Sequence, residues 1–201
     1  MNAMYKLSYG LFVVTTVSNG VKNGCITNTV MQVTAEPEKI TLAVNKTNYT
    51  HDLICESGEF NVSVISEDAS FDLFKHFGFQ SGRDVDKFGF YESWGVSQNR
   101  LPYVTEGTNA FISAKVTQRI DCGTHTLFVA DVTEKKVLSD VPSATYAYYF
   151  EHIKPKPQAK DEGAPTKWRC KICGYEIETE ELPADFVCPW CKHGAEDFEK
   201  V

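Results

Sequence analysis

Two C-x-x-C pairs, Cys170-Lys-Ile-Cys173 and Cys188-Pro-Trp-Cys191, stand 14 residues apart near the end of a 201-residue chain. A pair spaced by two residues can turn back so that both thiolates point at one metal. Two such turns facing each other make a tetrahedral four-sulfur cage, the geometry of structural zinc or of thiolate-held iron. Paired spacing of this kind is specific, and four unrelated free thiols are a poor account of it. The segment is also too short to bury a core of its own without a staple, so the metal decides whether it folds.

Charge and ring content argue for iron. From Trp168 to Val201 there are four Lys/Arg against eight Asp/Glu, a net charge of −4. A zinc ribbon that grips nucleic acid needs a basic face, whereas an acidic one suits docking to a basic protein. Trp168, Tyr175, Phe186, Trp190 and Phe198 can pack around the site and keep it dry, a condition that tunes an iron–thiolate centre for electron transfer. The run Trp168-Arg-Cys170-Lys-Ile-Cys173-Gly174-Tyr175, then Phe186-Val-Cys188-Pro189-Trp190-Cys191 and Glu196-Asp-Phe198, resembles a rubredoxin. The interval between its knuckles is closer to that of the compact rubredoxin-like domain of rubrerythrins. A zinc ribbon that only folds the tail is the alternative, and zinc can replace iron in a recombinant preparation.

The remainder is long enough for one ordinary domain. Prolines at 155, 157 and 165 and the absence of periodicity mark a tether, dividing the chain into 1–153, a linker at 154–167, and 168–201. A flexible 14-residue tether spans about 20 Å on average and about 40 Å extended. No apolar run approaches the roughly 18–20 residues of a membrane span, and Leu11–Val14 is too short for a signal-peptide core. Beyond the four ligands, Cys25, Cys55 and Cys122 are scattered, which suits a reducing cytoplasm. A net charge of −7 argues against nucleic acid and anionic membranes as partners.

The first 150 residues read as mainly β. Gly10–Thr16, Cys25–Val33, Ile40–Val44 and Phe60–Ile65 have strand patterns, with Ser18–Gly24 as turn material. Ala110–Ile120 and His125–Thr133, joined at Asp121-Cys-Gly123-Thr, predict a long hairpin. Short helices are expected over Thr50–Glu56, stopped by Gly58, and over Phe71–His76 and Asp84–Phe88. Many strands with few helices predict a small barrel, in which closure removes exposed edges. No GxGxxG or GxxxxGK occurs, so neither a Rossmann fold nor a P-loop is indicated.

Within the second strand Thr27, Asn28 and Thr29 are consecutive polar residues, so at least one face of it meets something polar. Asn45-Lys46-Thr47-Asn48-Tyr49-Thr50-His51 is a polar loop with one cation leading into a helix, and Ser81-Gly-Arg83-Asp84-Val-Asp-Lys87 is a second loop of that kind. Hydroxyls, helix-start N–H groups and a lysine make a phosphate site. Each loop taken alone reads equally as a helix cap and a solvated turn. In this order, with Asn23-Gly-Cys25-Ile-Thr27-Asn28-Thr29, Glu36-Pro37 and Asp121-Cys-Gly-Thr-His125, the segments resemble the flavin reductase-like family of FMN-binding split barrels.

That resemblance implies FMN held by Cys25, Thr27, Asn28, Thr29, Asn45, Lys46, Asn48, Thr50, His51, Ser81 and Lys87. His125 would lie near the flavin face, either in a nicotinamide site or simply as a satisfied hairpin histidine. Cys25 is either redox-active or a small buried hydrophobe. Barrel, tether and cage together resemble the high-molecular-weight rubredoxins of anaerobic bacteria. This implies a homodimer that takes electrons from NADH or NADPH through FMN and iron to a flavodiiron protein, in defence against oxidative and nitrosative stress. Two other readings are a reductase that releases reduced flavin, with a structural zinc tail, and a flavin-storing module without turnover.

Overall fold

A computed structural model describes residues 3–155 and 167–201. The proline-rich tether expected at 154–167 lies almost wholly outside the described residues. The chain divides into two compact units, Met1–Lys154 and Pro155–Val201.

The first unit is built on a seven-stranded antiparallel sheet: β1 (Phe12–Ser18), β2 (Val21–Thr27), β3 (Val30–Ala35), β4 (Glu38–Asn45), β5 (Glu59–Ile65), β8 (Thr108–Asp121) and β9 (His125–Val137). Their spatial order is β2-β1-β5-β8-β9-β4-β3. A small hairpin, β6 (Trp94–Val96) with β7 (Pro102–Val104), stands apart from it. Two helices, α1 (Tyr49–Ser57) and α2 (Phe71–Gly78), interrupt the strands, and α3 (Tyr146–Tyr148) runs on into a π-helical turn, Tyr149–Ile153.

Two expected elements differ. The strand expected over Cys25–Val33 is two strands, because the chain turns at Asn28 and Thr29; β2 begins at Val21, inside what reads as turn material. The actual β1–β2 turn is Asn19-Gly20, with φ of 50° and 81°. Positive φ at both positions matches the right-handed twist of the strands, which is why Asn-Gly occupies them. Asp84–Phe88 is a set of turns and not a helix. Asp84 and Val85 N–H both donate to Ser81 O, and Phe88 N–H donates to the Asp86 carboxylate at 2.9 Å. Five residues cannot repay the cost of nucleating a helix.

The side chains of β1 alternate between two cores. Val13 packs with Leu11, Ile65, Leu73, Phe74 and Phe77 under α2, whereas Val14 packs with Leu42, Ile54, Phe60, Val62 and Phe128. Both faces of the strand are therefore buried, which explains its nearly unbroken apolar run. Asn61, buried in β5, donates to Ser97 Oγ at 2.7 Å and to the Leu101 and Pro102 carbonyls at 3.1 Å, tying the β6–β7 hairpin to the sheet.

The second unit is a three-stranded sheet, β10 (Lys167–Cys170), β11 (Glu176–Glu178) and β12 (Phe198–Lys200), in the order β11-β10-β12. Trp168 Nε1 donates to Thr179 O at 3.1 Å, and Phe186 meets Phe198 edge-on at 5.3 Å.

Candidate functional site

The sulfurs of Cys170, Cys173, Cys188 and Cys191 lie within 4.8 Å of one another. Cys170 and Cys191 approach to 3.5 Å and Cys173 and Cys188 to 3.4 Å. Cys170, Cys173 and Cys188 are buried and Cys191 is half-buried. Each pair is folded by the same turn: Gly174 N–H donates to Cys170 O at 2.8 Å and Lys192 N–H to Cys188 O at 2.9 Å. Hydrogen bonds from Cys173 and Cys191 hold the Cys170 thiol far below its usual range, and those that Cys173 makes with Cys170 and Cys191 push Cys173 up. Four apposed sulfurs are a donor set that a thiophilic cation completes. With sulfur alone as donor, the chemistry of the cage fits iron and equally admits zinc.

In the first unit three segments converge at the start of α1. Asn48 caps the helix, its Oδ1 accepting from Thr50 N at 2.9 Å, and Asn45 Oδ1 accepts from Thr47 N at 2.9 Å. The β8–β9 turn reaches this loop: Lys46 N donates to Thr124 O at 3.0 Å, and Lys46 Nζ pairs with Asp121 at 2.6 Å. Lys46 beside Asp121 holds that carboxyl below its usual range. His125 pairs with Asn45 across β9 and β4, its Nδ1 lying 2.9 Å from Thr124 Oγ1. His51 Nε2 lies 2.9 Å from Thr126 Oγ1, and its Nδ1 lies 3.1 Å from Asp52. The loop after α2 closes the third side. Arg83 pairs with Asp52 at 2.5 Å and lies 4.7 Å over the Tyr49 ring, and its N–H donates to Ser81 Oγ at 3.1 Å.

Thr27 and Thr29 lead elsewhere. Their hydroxyls lie 2.7 Å apart at the β2–β3 turn, beside half-buried Asn28, and Thr29 donates to Ala43 O on β4. Cys25 is buried beneath α1 against Thr50 and Asn48, and burial pushes its thiol up. It thus sits as a small neutral side chain. Lys87 departs most from expectation. Rather than offering a cation to a phosphate, it is buried and donates to Gly24 O at 2.9 Å and Phe77 O at 2.8 Å. That holds its loop against β2.

Asn23 is the residue that sequence reasoning passed over. It is buried on β2, donates to Thr50 Oγ1 at 3.1 Å, and leaves its Oδ1 without a partner. A Cβ on Gly82 would stand 2.2 Å from that oxygen, so only glycine permits the approach. A cleft of about 500 Å³ opens between the β1–β2 turn and residues 82–89, and carries Lys22 and Arg83 as well as Asp84 and Asp86. Asn23 has no strand context in the sequence, since Ser18–Gly24 reads as turn material and only the structure places it within β2.

Residues 4–157 match the family described as flavin reductase like domain, and residues 168–199 match the rubrerythrin, rubredoxin-like domain. The chain belongs to the flavin reductase-like family. This flavin reductase-like chain is 33% identical to a high molecular weight rubredoxin of Moorella thermoacetica, over 99% of its own length and 98% of the relative's. It is 42% identical to a ferric-chelate reductase (NAD(P)H) of Archaeoglobus fulgidus, over 74% of this chain and 88% of that one. An FMN-binding protein from Thermus thermophilus shares the fold, with a TM-score of 0.61 at 22% identity over 67% of this chain and 74% of that one. The chain is an NAD(P)H-dependent flavoprotein oxidoreductase with a flavin site in the barrel and an iron site in the cage. The fusion fits electron transfer from NAD(P)H through flavin to iron and on to an acceptor protein.

Proposed function

We propose that this chain passes electrons from NADH through FMN and an iron centre to a flavodiiron protein that reduces oxygen or nitric oxide, in the cytoplasm, under oxidative and nitrosative stress. The observation that carries this reading is the presence in one chain of a polar barrel rim and a four-sulfur cage. When bound, the flavin converts two-electron input into single electrons, which the iron carries one at a time.

In this reading Lys46 and the start of α1 receive the FMN phosphate, with Asp121 orienting the ammonium. Asn45, Asn48, Thr50, His51 and Ser81 shape the pocket around that end. Thr27, Asn28 and Thr29 line the ring, and His125 borders the face that a nicotinamide would approach. Cys25 and Lys87 fix the wall behind it. On the second unit Cys191 is the one ligand not fully buried, and exposed Val187 and Trp190 flank it. That edge is the exit toward a protein acceptor, and the acidic surface favours a basic partner.

The chain also works as a homodimer. Edge strand β3 has neighbours on one side only, and Met31 and Val33 on it are exposed, as are Ile120 and Val137 on the long β8–β9 hairpin. A second copy is the partner that would cover them. The domain boundaries follow the same reading, with the barrel at 1–153, the tether at 154–167 and the metal domain at 168–201.

Cys170→Ser tests the relay. It removes one ligand and so unfolds the metal unit, while the barrel keeps its own core. Anaerobic stopped flow should show flavin reduction by NADH within a few-fold of wild type. Steady-state reduction of a flavodiiron acceptor should fall at least tenfold. An unchanged acceptor rate in a variant shown to hold FMN and no iron would favour a reductase that releases reduced flavin.

A further inference from the structure

The two knuckles of the cage share their closing backbone bonds and differ in the residue that follows each second cysteine. Cys170 N–H donates to Tyr175 O and Cys188 N–H donates to His193 O, each at 2.8 Å, and the returning bonds to Cys170 O and Cys188 O match as well. The residue that follows each second cysteine is left-handed, Gly174 at φ 83° and Lys192 at φ 63°. Glycine adopts that conformation freely, whereas any side chain is strained there. Among the described residues Lys192 shares positive φ without being glycine only with Asn19 and Arg100. Its ammonium folds back over its own turn and donates to Pro189 O at 3.0 Å. A cation is therefore held at the surface of the Cys188–Cys191 turn, within a segment whose net charge is −4. The first knuckle has no equivalent at Gly174, and its Lys171 reaches away to Glu196 O.

We infer that Lys192 is a positioning charge that favours the electron-loaded state of the metal centre and raises its reduction potential. The inference rests on the reading of the cage as an iron site. Four thiolates around ferric iron leave one net negative charge. One electron entering, with no proton and no bond broken, makes it two. A cation held in the same turn stabilises the product more than the reactant, the sense in which net charge sets iron–sulfur potentials. Backbone strain at a non-glycine residue persists only where the surroundings enforce it, and here both the turn and the Pro189 contact do so.

The test is the reduction potential of the full chain reconstituted anaerobically with ferrous iron, measured by spectroelectrochemistry at low salt. Lys192→Gln removes the charge and keeps a side chain at the left-handed position. Lys192→Gly removes the charge and relieves the strain. Lys192→Arg keeps the charge. Both neutral variants should shift to lower potential by similar amounts, and the arginine variant should stay near wild type. The difference should shrink as salt rises, because an exposed charge is screened. An unchanged potential in Lys192→Gln overturns the inference, as does a shift confined to Lys192→Gly, which would assign the effect to the backbone. Because the iron is added, a chain that carries only zinc in cells would defeat the electron relay and leave this result standing.

Discussion

Lys87 contributes two opposing terms at one residue. Its ammonium satisfies two carbonyls, but burial draws its pKa down to about 8. A downward shift of that size from the unfolded value corresponds to about 3 kcal/mol lost at neutral pH. The unfolded chain binds the proton more tightly, so between pH 8 and the ordinary lysine range stability rises with pH. Denaturant unfolding of wild type and Lys87→Met should therefore show a difference that moves in favour of wild type over that window; a constant difference would mean the ammonium is not buried. The sequence marked Lys87 as one cation in a polar loop. It held no sign that the side chain points inward, because the carbonyls it serves, on Gly24 and Phe77, come from other elements. The four cysteines were legible for the opposite reason, since their spacing alone dictates the geometry.

Among the elements, helix α1 was read almost to its ends because its signals are local. Asn48 caps one end and Gly58, at φ 70°, stops the other. Asn48→Ala removes the bond to Thr50 N and should destabilise the barrel by about 1 kcal/mol in urea unfolding. If Asn48 also shapes the FMN site, the same variant should weaken FMN more than its stability loss explains, as read by fluorescence titration. Equal affinity for FMN would leave it a cap alone. The long β8–β9 hairpin was also legible, with Gly123 at φ 79° and Asp121 Oδ1 accepting from Gly123 N at 2.8 Å. The break at Asn28 and Thr29 was not. An unbroken polar triplet fits a strand as well as a turn, and the pairing of β3 with β4 that settles the matter is a non-local fact. The hairpin of β6 and β7 went unseen because it is three residues a side and is held by the distant Asn61.

For the whole molecule, the exposed side chains of β3 and the β8–β9 hairpin set the expected assembly. Met31→Glu places a charge on a residue that is 63% exposed in the single chain, so folding should be unaffected. Sedimentation equilibrium should show a dimer in wild type and a monomer in the variant. A variant that remains dimeric would place the interface elsewhere. The division into a barrel and a metal unit was readable from composition, since prolines and a loss of periodicity separate them. The shape of the polar rim was not readable, because it is assembled from loops at 45–51, 81–87 and 121–126 that only the sheet order brings together.

The alternation of Val13 and Val14 between two cores fixes the length of β1 more firmly than it fixes the identity of its residues. Leucine or isoleucine at either position changes volume locally. Loss or gain of a single residue would exchange every later side chain between the barrel interior and the layer under α2, and would slip the register with β2 and β5 together. The gene can thus drift at these codons but cannot change their number. Descendants of this chain should vary in length at the Asn19-Gly20 turn, and not within the strand it closes.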